Sequence, residues 1–290
     1  MQFKNSHIQH FANSSVAFLK DFREKKDNLI LKGLCRAFAT YIPKLFLIKP
    51  NHKQDQVNVD EIRINGFKKL SNLPEKKIND LIDYFLTFSS DNYNQKFNNI
   101  NELKNFMYEN KIQRSRVVMA TKSNNPISSL VKTKEIFNTA ISYLKSKPEN
   151  LIYISYIFAL GKVESKALES SNALIFHRDV DHFKFLKFFY YLTDCPIGGG
   201  HHEYFTKTHR KIKFKLSPVK RYEKDEISLS YPEAELLKIS GAKGYGFAED
   251  TSGFHRGTPL EQGFRVMLMI EVHPKSILRG GELKFPTSVI

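Results

Sequence analysis

Tryptophan is absent from the 290 residues, cysteine occurs only twice, and acidic side chains are outnumbered 30 to 45 by lysine and arginine. Two thiols, Cys35 and Cys195, are too few for a disulfide-built scaffold of the small secreted kind, and both are expected to be reduced. Long apolar runs are missing as well. The longest, Leu151–Leu160 (LIYISYIFAL), has about half of the roughly 20 residues a spanning helix needs and carries Tyr and Ser. It reads as a buried strand, and no membrane insertion is expected. Met1 to Ser15 contains polar Asn, Gln, Ser and His where a secretory leader would be apolar, so a cytoplasmic protein is expected. Internal repeats, low-complexity tracts and an obvious flexible linker are also lacking, which argues for one structural body.

What is present is enough apolar material for a core: 41% of residues are hydrophobic, which excludes general disorder. The length exceeds the usual 100–200 residues of one domain and suggests one elaborated domain, or a core with a subdomain. The formal charge of +15 favours anionic partners. Yet Lys, Asn, Ile and Phe are all abundant while Trp is missing, as an AT-rich coding sequence would produce, and the basic residues are scattered. A solvated lysine-rich surface is the simpler account, and nucleic acid is not the expected partner.

The chain changes texture near residue 150. Residues 1–150 are expected to be helical, with amphipathic spacing over Ser14–Leu31 and Leu29–Phe38. Pro74 opens a helix carrying Ile78, Leu81, Ile82 and Phe85, and further helices are expected over Ile100–Asn110 and Thr133–Lys147. Asp91–Asn101 reads as a loop and Lys122–Pro126 as a turn. Residues 151–290 instead show short β-type runs: Leu151–Leu160, Asn172–Phe176, Phe183–Leu192, His202–Thr206, Gly244–Ala248 and Phe264–Val272, with helical patterning left only around Glu233–Ile239. Many short strands at such spacing indicate a sandwich, jelly roll or closed barrel, on which the helices pack.

The chemistry concentrates in FHRDVDHFKFLKFFYYLTD, Phe176 to Asp194. His177 and Asp179 form an H-x-D pair, and in an extended chain residues i and i+2 point to one side, so both can meet one metal ion. Alone the pair means little, since His201 and Glu203 repeat the pattern. Downstream, His255 lies in DTSGFHRGTP, where Gly253 and Gly257 permit close backbone approach, and Arg265 opens the run FRVMLMIEV. Two imidazoles and one carboxylate on one face of a metal leave three open positions, the arrangement of non-haem Fe(II) oxygenases. An Arg from the following strand would offer a charged fork to a dicarboxylate cosubstrate.

The segments HRDVDHFKFLKFFYYLTD, GGGHHEYFTKTHR and GAKGYGFAEDTSGFHRGTPLEQGFRVMLMIEV together resemble the phytanoyl-CoA dioxygenase family of Fe(II)/2-oxoglutarate oxygenases over about residues 150–275. The resemblance implies a mainly β core, a double-stranded β-helix of the jelly-roll, cupin-like type, with the helical N-terminal half packed on it. It also implies iron ligation by His177, Asp179 and His255, and pairing of Arg265 with the distal carboxylate of 2-oxoglutarate. Thr258 and Tyr190 are candidates for the hydroxyl or aromatic group that accompanies that carboxylate in the family. The activity implied is O2-dependent hydroxylation of a C–H bond in a small or medium-sized metabolite, releasing succinate and CO2. In related halogenases a small residue replaces the carboxylate ligand, so Asp179 points to hydroxylation. Where relatives often carry Gly-Pro and Ser-His, this chain has Gly200-His201 and Thr208-His209, a departure at the pocket mouth. The alternative from another class is a non-catalytic β-helix protein binding an anionic ligand or nucleic acid.

Other motifs fade on inspection. HRD also begins the protein-kinase catalytic loop, but the fifth position after Asp179 is Lys184 where that loop needs Asn, and D-F-G does not occur. GAKGYG completes no nucleotide-binding fingerprint, and its glycines read as turn residues. Asp181 is too far along an extended chain from His177 to chelate with it. His182, His201, His202 and His209 read as structural or exposed histidines, and Phe183, Phe185, Phe188 and Phe189 as core. Lys187 is expected to point outward from its strand.

Overall fold

The computed structural model describes residues 58–120, 125–145, 153–160, 173–179, 185–216, 220–261 and 263–272. The helices expected over Ser14–Leu31 and Leu29–Phe38, together with Cys35, Asp181 and His182, lie outside them. Among the described residues, five helices precede Tyr153: α1 (Asp60–Asn65), α2 (Glu75–Tyr93), α3 (Ile100–Glu109), α4 (Pro126–Val131) and α5 (Lys134–Leu144). The Pro74 carbonyl accepts the N–H groups of Lys77 and Ile78 at the start of α2, and Ile78, Leu81 and Phe85 of the expected stripe are buried. Asn99 and Asn125 cap α3 and α4 through their side chains, each accepting backbone N–H groups that the first helical turn leaves unpaired. The loop expected over Asp91–Asn101 is shorter than its sequence suggested, because α2 runs on to Tyr93 and α3 begins at Ile100.

The core is two antiparallel sheets. The larger has the order β1-β7-β4-β9-β3-β2, formed by β1 (Phe67–Lys69), β2 (Arg114–Ala120), β3 (Tyr153–Leu160), β4 (Leu186–Tyr191), β7 (Gly246–Glu249) and β9 (Phe264–Val272). The smaller has the order β6-β5-β8, formed by β5 (His202–Phe205), β6 (Leu236–Ile239) and β8 (His255–Gly257). This is the expected jelly-roll arrangement of two antiparallel sheets with helices packed on one face. Strands β1 and β2 come from the helical first half, so both halves contribute to one sheet; β2 is an edge strand that the sequence pattern did not announce. The stretch Glu233–Ile239 departs from its helical reading: Leu236–Ile239 is a strand with Lys238 exposed and Ile239 buried, and the helix α6 (Lys224–Ser230) lies upstream. Asn172–Phe176 forms no named strand, and Phe176 and His177 make isolated bridges instead.

Alternation along the central strands separates three apolar layers. Leu186, Phe188 and Tyr190 of β4 and Val266, Leu268 and Ile270 of β9 face the helices and pack with Leu81, Phe85, Leu103 and Ile136. Phe189 and Tyr191 of β4, Phe247 of β7 and Met267 and Met269 of β9 face the smaller sheet and meet Tyr204 and Ile239. Beyond that sheet, Phe176, Phe205, Tyr222, Tyr231 and Phe254 form a third cluster. Each fully buried side chain of this size contributes about 1.5–3 kcal/mol, so both faces of the larger sheet are held firmly.

Candidate metal centre

The segment after Phe176 is drawn in as an extra rung beside the smaller sheet. Tyr222 donates its N–H to the Phe176 carbonyl at 2.9 Å, and on the other edge His177 and His255 each donate an N–H to the carbonyl of the other at 3.0 Å. Asp179 donates its N–H to the Thr251 carbonyl at 2.8 Å. These main-chain bonds bring residues 177–179 to the mouth of the cavity beside β8. The glycine before the second histidine is required there: a Cβ on Gly253 would collide with the Tyr204 hydroxyl.

His177, Asp179 and His255 each aim one ligand atom at a common point, all within 4.8 Å of one another, the one such group among the described residues. Nε2 of His177 lies 3.7 Å from one Asp179 oxygen and Nε2 of His255 lies 3.4 Å from the other. Nδ1 of each ring faces a backbone carbonyl at 3.0 Å, Ile175 for His177 and Gly253 for His255. A carbonyl can only accept, so Nδ1 carries the proton and the lone pair of each neutral ring sits on Nε2, turned toward the carboxylate. Burial, then the neighbouring His255, pushes His177 down to about 3, which keeps it neutral and ready to donate that lone pair. For His255 burial pulls the same way but Asp179 outweighs it, leaving its pKa raised. Burial also works against the Asp179 charge, yet Lys187 and then His255 overcome it and hold the carboxyl well below its usual range.

Lys187 corrects an expectation. It points inward, buried, with Nζ 2.7 Å from Asp179 Oδ2 and 3.3 Å from Glu271 Oε2. Glu249, Lys187 and Glu271 are cross-strand partners over β7, β4 and β9, so one charged row lies across the inner face of the larger sheet at its mouth end. The parity that puts Phe189 and Tyr191 inside puts Lys187 there too. Glu249 is fully enclosed, and burial pushes its carboxyl up to about 8. Its Oε2 lies 2.9 Å from Nε2 of His202, an imidazole that burial and His255 hold well below the usual range. His202 stacks at 5.6 Å on His255.

The remaining expected residues divide. Arg265 is buried and faces the interior with Met267 and Met269; its Nη1 donates to the Gly200 carbonyl, while Nε has no hydrogen-bond partner. Gly200 has φ +76°, and a Cβ on it would stand 3.0 Å from Nη1, so glycine is what allows the guanidinium this close. Thr258 hydrogen-bonds His201, through its carbonyl at 2.9 Å and Nδ1 at 3.0 Å, beside the segment that Arg265 holds. Tyr190 is not brought to the site: its ring lies in the layer under the helices, one residue out of phase. Tyr191 is the inward tyrosine, its hydroxyl donating to the Ile239 carbonyl at 2.7 Å and accepting the His202 N–H at 3.0 Å. Among the described residues, the second H-x-carboxylate pair gathers no third ligand. His201 Nε2 stands 3.6 Å from Glu203, whose other oxygen takes Arg256 Nε at 2.7 Å. Cys195 is a buried free thiol.

The chain matches no protein-family model, and no curated protein is similar to it. Its path is similar to several solved structures. The non-haem alpha-ketoglutarate-dependent carbocyclase SnoK of nogalamycin biosynthesis shares 12% identity over 77% of this chain and 85% of that one, with TM-score 0.48. EctD from S. alaskensis, solved with 2-oxoglutarate and 5-hydroxyectoine, shares 10% over 78% and 79%, with TM-score 0.49. HygX from Streptomyces hygroscopicus, solved with iron bound, shares 10% over 78% and 95%, with TM-score 0.45. At such identities the likeness concerns the chain path, and the side chains described above carry the chemistry. No helix among the described residues is long and apolar enough to cross a membrane.

Proposed function

We propose that this protein is an Fe(II)- and 2-oxoglutarate-dependent dioxygenase, akin to the phytanoyl-CoA dioxygenase family, that hydroxylates a C–H bond of a small or medium-sized metabolite. The observation that carries this reading is the convergence of His177, Asp179 and His255 within 4.8 Å with the unprotonated nitrogen of both rings turned inward. Two imidazoles and one carboxylate suit Fe(II), and three ligands leave positions open. The buried Arg265, with Nε lacking a partner, fits the far carboxylate of a keto-diacid. When bound, iron and 2-oxoglutarate supply the oxidising chemistry, in which O2 is consumed, succinate and CO2 leave, and the substrate gains a hydroxyl.

The chain's own residues do the rest. His177 stays neutral across the physiological range, so no proton competes for its Nε2. Lys187 holds one oxygen of Asp179 and fixes the plane of that carboxylate. Phe189, Phe247 and Met269 pack together between the sheets as a buried apolar layer. Purified protein should release succinate from 2-oxoglutarate only when supplied with Fe(II), and an anaerobic mixture of the three should develop a visible charge-transfer band. A protein that binds neither iron nor 2-oxoglutarate would overturn the proposal and favour a binding role without turnover.

A further inference from the structure

The turn that joins β7 to β8 serves two of the three ligands through its main-chain carbonyls. The Thr251 carbonyl accepts the Asp179 N–H at 2.8 Å, and the Gly253 carbonyl faces Nδ1 of His255 at 3.0 Å. A shift of this turn therefore moves the carboxylate and the imidazole together. What closes it is Asp250, a buried carboxylate that takes no part in the chemistry proposed above. Its Oδ1 accepts the Ser252 N–H at 3.0 Å and the Ser252 hydroxyl at 2.5 Å, the bond to a backbone group two residues on by which Asp stabilises turns. Its carbonyl accepts the Gly253 N–H at 3.1 Å and the Tyr204 hydroxyl at 3.2 Å.

The remaining anchors come from the helical half. The Asp250 N–H donates to the carbonyl of Gly66, just past α1, at 2.8 Å, and Oδ2 accepts the hydroxyl of Tyr143, buried on the last turn of α5. Arg63 of α1 donates to the Ser142 carbonyl at 2.9 Å, so the two helices that meet at Asp250 are tied to each other as well. All three oxygens of Asp250 are thus engaged, and leaving a buried carboxylate oxygen without its donor is costly, which holds the turn to one conformation.

We propose that Asp250 is a positioning residue of the metal centre, acting on Asp179 and His255 through the turn it closes, and that the Tyr143 hydroxyl is the contact by which the helical half holds it. The assignment rests on the metal-centre reading. Groups that orient metal ligands are typically worth about 10–100-fold in metal affinity, and Asp250 acts one link further out, through peptide groups, which puts its effect near the lower end.

The test is Co(II) binding to the metal-free full chain, followed by visible absorption and set beside urea unfolding of the same variants. Asp250→Ala should weaken Co(II) by about tenfold and alter the band shape. Asp250→Asn, whose amide oxygen still accepts from Ser252, should restore most of the affinity. Tyr143→Phe should weaken Co(II) by about threefold or more. Its control is Tyr93→Phe, which also removes one tyrosine hydroxyl bond, to Ser115 Oγ at 2.8 Å, but on β2 at the far edge of the larger sheet. That variant should keep Co(II) affinity within about twofold of wild type. Where Asp250→Ala does not fold, Tyr143→Phe against Tyr93→Phe carries the test. Wild-type Co(II) affinity in folded Tyr143→Phe, or equal losses in Tyr143→Phe and Tyr93→Phe, overturns the proposal and leaves the metal centre standing. A wild type that binds no Co(II) overturns both.

Discussion

His177–Asp179 and His201–Glu203 have the same spacing, yet the chain puts them to different uses. The first pair is met by His255 through a two-way main-chain bridge, and its carboxylate is gripped from the inner side by Lys187. In the second, Glu203 lies against Arg256, whose guanidinium in turn covers the Phe176 ring at 4.4 Å. Burial favours the protonated form of Glu203, but bonds from His201 and Arg256 bring its pKa down to about 2, an ordinary ion-paired carboxylate. The spacing supplies two ligands in either case. A third residue, delivered from a distant stretch, makes one of them a metal site.

The comparison can be broken most sharply at that third residue. His255→Ala should weaken Fe(II) binding by about a thousandfold, or about 4 kcal/mol, whereas Glu203→Gln should change it less than threefold; anaerobic titration reads both. An equal loss would mean that the second pair also serves the ion. Next in size is Lys187→Met, which leaves two buried carboxylates without their shared cation and should cost the metal-free protein about 3 kcal/mol in urea unfolding. Glu271→Gln in the same chain should recover part of that loss, and a strictly additive pair would show that the two do not interact. Arg265→Gln should weaken 2-oxoglutarate by about a hundredfold, or about 2.7 kcal/mol, with iron affinity within a few-fold of wild type. Parallel losses of both would contradict its separate role. At the solvent-facing pair the effect is smallest: Arg256, with 29% of its side chain exposed, should cost about 1 kcal/mol or less when replaced by Met.

Acidity tests the enclosed carboxylate of Glu249, which the second pair has no equivalent of. Its folded pKa of about 8 exceeds the ordinary value of 4.5, so between those values the unfolded chain has released the proton and the folded one has kept it. Folding stability from this group is complete below pH 4.5 and declines as pH rises toward 8. His177 and Asp179, both lowered, act in the opposite sense and remove stability as pH falls. The metal-free Glu249→Gln variant should therefore show a smaller decline on the alkaline side, the remainder coming from His255 with its raised pKa, while keeping the acid one, as thermal unfolding across the range would show. An unchanged profile would mean that Glu249 ionises normally.

Much of this arrangement was legible in the sequence, and the exceptions have separate physical causes. The six β-type runs after residue 150 gave five named strands, because buried strands concentrate apolar and aromatic residues. Strand β2 escaped notice since it lies at a sheet edge, with one neighbour and no need for a continuous apolar run. The H-x-D spacing and the sequence around His255 singled out His177, Asp179, His255 and Arg265 as candidates, and the structure brings the first three within 4.8 Å of one another. Tyr190 stands as a candidate in the sequence for want of register: one step along a strand turns a side chain from the inner face to the helices. Lys187 misled for a different reason. A cation amid Phe and Leu reads as outward, and only the folded chain supplies Asp179 and Glu271 to neutralise it.

The reciprocal main-chain bridge between His177 and His255 sets the spacing of two rings through peptide groups that need no ion. Loading and stripping of the centre can then proceed in an intact fold, as a socket accepts and releases its plug. Which divalent ion resides there in a cell becomes a matter of local abundance and donor preference, and a preparation emptied by chelator should regain its occupant on simple addition, without refolding.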